Sequence, residues 1–201
     1  MLLTDRKTSQ NLKTSPIYRE DAMQEPLRIR DGPDLIEIDF SDVEKYHGQH
    51  AIVGAAVAFM AMHAAFPSIY PDRHPSREEI TIVTGHPGPG VRDAFEFVTR
   101  AVSRNAYRVD AERPQARWDP YSNTSFTFTI SCDQGRYVDL SMKQEILPMH
   151  FFDLLDLKHR GAANHDQQQE LRQLKRTLAN HILGSPCAAL FDVDRQDSPR
   201  E

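Results

Sequence analysis

Apolar residues recur along this chain in three rhythms, and each predicts a different kind of element. Strict alternation over Ser125–Ser131 puts Phe126, Phe128 and Ile130 on one side and Thr127 and Thr129 on the other, the period of a half-buried strand. Asp133-Gln134-Gly135 supplies a turn before Arg136–Met142, so the two runs predict a hairpin. Spacings of three and four join Val91, Ala94, Phe95, Val98 and Val102 into one helical face. The same spacing joins Leu171, Leu174, Leu178 and Ile182 in a helix from His165 to Leu183, preceded by one over about Pro148–Lys158. The third pattern has no polar side: Ala51–Phe66 is apolar almost throughout and rich in alanine. It falls short of the roughly 20 residues that a bilayer span requires, and predicts a buried helix.

Shorter signals complete the order. Leu35–Ile38, Glu79–Thr84 and Asn105–Asp110 read as strands, and Ser41 with Glu44 matches a capping box that starts a helix near Ser41. The predicted class is α/β (α+β), a mixed sheet from the runs near 35, 79, 105, 125 and 136. The apolar and amphipathic helices cover it, and the C-terminal helices pack on one side. Residues 1–34 are polar, aperiodic and punctuated by Pro16, Pro26 and Pro33, and are expected to form a flexible arm. Residues 35–190 make the single globular domain, and 191–201 a charged tail.

Composition narrows the functional classes. The chain has 201 residues, enough for one core. With 24 basic and 29 acidic side chains the net charge is -5, which implies no broad basic face and no nucleic-acid partner. Cys132 and Cys187 are far apart and form no CxxC pair, a usage suited to a reducing cytoplasm. The first residues lack the apolar core of an export signal, and nothing implies a membrane partner. The GxSxG, HExxH and P-loop signatures are missing too.

Two constellations carry candidate chemistry. Tyr46-His47-Gly48-Gln49-His50 places two imidazoles three residues apart, on one face if the helix continues through them. Neutral imidazole suits zinc, iron, nickel or copper, and Gly48 lets the backbone turn the rings together. The competing reading makes them helix-end residues bonded to nearby carbonyls. The second constellation is the loop Thr84–Gly90 between a strand and a helix, a common ligand position in α/β proteins. Gly88 and Gly90 permit close backbone approach, but Pro87 and Pro89 each remove an amide donor. Asp93 and Glu96 follow in the first turns, so the loop suits a metal or a cation, held with His86, better than a phosphate. The competing reading is a rigid turn in which Asp93 complements the helix dipole. His63 reads as a core histidine.

These segments together resemble the E-subunit family of formylmethanofuran dehydrogenase. That family has an FHGHxCPG-like motif entering an apolar helix, then a strand and a Cys-x-x-Asp-Ala-hydrophobic-Gln helix. Tyr46-His47-Gly48 matches the first opening, and His50 takes the second histidine's place if Gln49 is an insertion. Asp93-Ala94-Phe95 matches the second motif, with Glu96 where glutamine is usual. The likeness covers roughly Ser41–Asp110. Both family cysteines are replaced, by Ala51 or Ile52 in the first motif and by Gly90 in the second. What the resemblance implies is therefore a histidine version of a metal site: His47, His50 and His86 holding zinc or another divalent transition metal, with Asp93 or Glu96 as ligand or supporting group.

Three functions are compatible with this reading. One is a metal-binding accessory protein of the family. The second is a metal-free binding protein or structural homodimer on the same fold. The third is a small-molecule enzyme with a histidine base oriented by Asp93 or Glu96.

Overall fold

The computed structural model describes residues 25–196. The main sheet has five strands in the order β4-β3-β5-β6-β7: β3 (Ile80–Thr84), β4 (Tyr107–Val109), β5 (Thr127–Cys132), β6 (Tyr137–Met142) and β7 (Phe191–Gln196). Only β3 and β4 run parallel, joined through helix α3 (Pro89–Thr99); the other neighbours are antiparallel. The register of β5 on β6 pairs Phe128 with Leu140 and Ile130 with Val138, so the alternation of both strands builds one apolar face. Thr129 opposite Asp139 and Thr127 opposite Ser141 make the other face polar. This is the mixed α/β class expected, with helix and strand segregated into layers.

The core is organised by α2 (Ile52–Ile69), which packs against the apolar face of the sheet and against α3 and α5 (His165–Leu183). Ala55 to Met62 are buried without a break, a pattern possible only for a helix enclosed on all sides. Among the described residues α2 is the one helix long and apolar enough to cross a membrane, and 72% of it lies inside the fold. Helix α1 (Phe40–His47) precedes it, α4 (Met149–His159) packs on α5, and the short α6 (Cys187–Leu190) leads into β7.

Three expectations are corrected here. Leu27–Asp31, read as part of an arm, is a strand, β1, paired with β2 (Asp34–Ile38) in a separate two-stranded sheet. Leu27 and Ile29 are buried, and Gly32 turns the hairpin at positive φ. The run near 35 is therefore not in the main sheet, and residues 1–24 of the expected arm lie outside the described residues. Second, residues 191–196 of the expected tail are β7, because Phe191 and the backbone of β6 hold them. Third, α1 starts one residue earlier than expected, at Phe40, with Asp39 and Asp42 making the capping box in place of Ser41 and Glu44.

Arg77 fastens the hairpin to the core. It is 6% exposed, and its guanidinium donates to Val98 O (2.9 Å), to Phe97 O (3.0 Å) and to Asp31. It thereby satisfies carbonyls at the end of α3 that no helical amide reaches. Replacing it by methionine, Arg77→Met, keeps the stem but leaves those carbonyls unbonded. The expected loss is about 1–3 kcal/mol, read as a lower urea midpoint with an unchanged slope; an unchanged midpoint would show that the guanidinium holds nothing.

Candidate ligand site at the junction of helices one and two

Helix α1 ends at His47 because Gly48 follows at φ 79°, and Gly48 N donates to Glu44 O (2.7 Å). The helix does not continue through His50, so the two imidazoles are not presented as a helical pair. Their surroundings differ completely. The His47 side chain is 4% exposed, and its Nδ1 lies 2.8 Å from Asp93 Oδ2 on α3. Its Nε2 accepts the Ala51 N–H at 3.2 Å. A nitrogen that accepts an amide hydrogen carries none itself, so His47 is the neutral Nδ1–H tautomer, donating to the carboxylate. Both ring nitrogens are in use.

His50 is exposed and stands among cations. The charge of Lys158 on α4, then that of Lys175 on α5, with burial, lowers its pKa. Lys175 itself is 8% exposed and donates to His50 O at 2.7 Å. Burial, and then the charge of Lys158, pushes its ammonium down to about 8, still largely protonated at neutral pH. Glu44, the carboxylate on this side of α1, is held by both arms of Arg176, at 3.0 and 2.6 Å, and that bond keeps its pKa low. Gln49 bonds to Glu44 and Arg176 as well. Asp93 is taken by His47. Among the described residues Lys175 makes no ion pair with a carboxylate.

The loop after β3 is ordered by its own side chains. His86 N donates to Thr84 Oγ1 (3.0 Å), and Gly88 N donates to His86 Nδ1 (2.9 Å). The His86 ring lies 4.7 Å from that of Phe126, and burial drives its pKa to about 4. Gly88 has no room for a side chain, since a Cβ there would lie 2.4 Å from the His86 ring. At Gly90 a Cβ would fall 2.2 Å from Ala51 O and 2.9 Å from Ala55 N, so this glycine lets α3 seat directly on the first turn of α2. Glu96 faces the other way: it accepts from Val102 N (2.8 Å) and Ser103 N (3.0 Å) and closes the chain leaving α3. Burial opposes the charge of Glu96, and the Ser103 and Val102 bonds outweigh it, lowering its pKa.

The candidate residues thus divide. His47, Asp93 and Gly90 meet at the start of α2, and His50 lies beside them at the surface. His86 and Gly88 stabilise their own loop, and Glu96 is a capping group. Among the described residues no three His, Cys, Asp or Glu side chains form a group that could hold a metal. The donor set does not fit the zinc or other divalent ion that the family resemblance implies, because both ring nitrogens of His47 are engaged and, among the described residues, His50 belongs to no group of three such side chains. The sequence reading missed Lys175. Its signal was its position four residues after Leu171, in the register of the buried stripe on α5.

No protein-family model matches the chain, and no curated protein matches it.

His63 and His86 are both held near pKa 4 by burial. Their folded values lie below the unfolded value of about 6.5, so the unfolded state binds the extra protons as pH falls. The stability they contribute is complete above about pH 6.5 and is lost progressively towards pH 4. Urea midpoints should fall across that window, and His63→Leu should flatten the decline; equal slopes in wild type and variant would show that His63 titrates normally.

Proposed function

We propose that this protein is a metal-independent small-molecule-binding protein, a relative of the formylmethanofuran dehydrogenase E-subunit family, whose ligand sits where α1 and α2 meet. The observation that carries this reading is the double engagement of His47. An imidazole bonded to Asp93 through Nδ1 and to the Ala51 amide through Nε2 is a strut between α1, α2 and α3. It has no lone pair left for a metal and no free nitrogen to act as a base.

The relationship to the family has support in the packing. The two segments that carry the resemblance are some forty residues apart, yet they meet through His47 with Asp93 and through Gly90 with Ala51. A metal site that lost its cysteines while keeping this framework leaves a preformed junction beside a strand–loop–helix unit, where ligands of α/β proteins commonly sit. The two free cysteines and the buried position of α2 support a cytoplasmic location.

Elemental analysis of purified wild type beside the double variant His47→Ala/His50→Ala tests the reading. The expected result is no stoichiometric metal in either protein and a melting temperature unchanged by chelator. The variant should lose about 1–3 kcal/mol of stability from the two severed bonds. Near-stoichiometric metal in the wild type, lost in the variant, would overturn the proposal.

A further inference from the structure

Lys175 is the one feature of this junction that folding alone does not account for. An ammonium taken out of water without a carboxylate is destabilising even after relaxation, and a methionine would fill the same stripe position without that penalty. The cation is nevertheless placed on the buried face of α5, with Lys158 of α4 close enough to repel it. Its bond to the His50 carbonyl points the ammonium at the residue before the α2 cap. Helix α2 has no acidic residue in its first turn to offset the positive end of its dipole. The carboxylates nearby are already engaged, Glu44 by Arg176 and Asp93 by His47. Positive groups from three elements therefore converge, and among the described residues neither Lys158 nor Lys175 makes an ion pair with a carboxylate.

We infer that this junction binds a small oxyanion, a phosphate or a carboxylate, between the Lys175 ammonium, the Lys158 ammonium and the His50 ring. The inference rests on the metal-independent reading above and supplies its ligand class. Lys175 gives the inner contact, as a buried charge whose field is little screened. Lys158 and His50 are nearer to solvent and give the outer contacts, so the anion enters from the side where α4 and α5 approach the junction. The bound anion removes the repulsion between the two lysines, which makes binding a source of stability for the α4–α5 packing.

Titration calorimetry with inorganic phosphate and, separately, malonate tests this at neutral pH, with chloride matching the ionic strength. The wild type should bind at least one of the two saturably, near one per chain, and gain melting temperature with it. Lys175→Met should weaken binding tenfold or more while the unliganded variant melts at or above the wild type. Lys158→Gln, on a different helix, should weaken it severalfold, and Lys45→Gln, an exposed lysine on α1, should leave it unchanged. If Lys175→Met does not fold, Lys158→Gln decides. The inference is overturned if the wild type binds neither anion saturably, or if Lys158→Gln and Lys45→Gln bind alike. Failure here with metal-free protein leaves the metal-independent reading standing; stoichiometric metal removes both.

Discussion

An 18-residue helix with almost no polar face has to be enclosed on every side, and that requirement arranges the rest of the chain around α2. The sheet covers one flank, and α1, α3, α5 and α6 pack against the others. Enclosure brings its own difficulty at the start of the helix, where amides without intrahelical acceptors sit against packed neighbours. The chain meets it with close backbone contact and a side-chain acceptor. Gly90 allows α3 to approach Ala51 and Ala55, and His47 accepts the Ala51 amide from the end of α1. Asp93 then fixes the imidazole's orientation and tautomer. A buried polar group of this kind is tolerated because every one of its bonding positions is met.

The elements built from strong periodicity were legible in the sequence. The alternation of β5, the stripes of α3 and α5 and the uninterrupted apolar run of α2 each carry several residues that agree with one another. The two strands misread as arm and tail were short and charged. In β1, Leu27 and Ile29 alternate with Arg28 and Arg30, and in β7, Phe191 and Val193 alternate with Asp192 and Asp194. Such strands serve at edges or in small ribbons, where charge discourages pairing with other chains. Their pattern is sound but too brief to outweigh flanking proline and acid. The misplaced start of α1 has a similar cause, since Asp39-x-x-Asp42 and Ser41-x-x-Glu44 offer overlapping capping signals, and Phe40, buried against Phe59, selects the earlier one.

At the candidate site the sequence singled out individual residues but not their relations. His47 and Asp93 were both singled out, while the bond between them depends on α3 crossing the start of α2, which no local pattern encodes. Glu96 looked equivalent to Asp93 in sequence. Three residues further along the helix it faces the outgoing chain, and it caps Val102 and Ser103 there. Lys175 was hidden because the stripe of α5 reads as leucine, and a single lysine in it looks like the edge of a polar face. Its burial arises only when α2 and α5 meet.

The strand β7 also constrains how the chain is made. Between β6 and β7 the chain forms α4, α5 and α6, so during synthesis the outer backbone edge of β6 leaves the ribosome well before the strand that will cover it. Through that interval Val138, Leu140 and Met142 stand on an unfinished sheet whose open edge can pair with another nascent copy. The charges of β7 then have a second use: when the strand finally arrives it closes the edge with Asp192, Asp194 and Arg195, and presents outward a border that a further strand does not readily join.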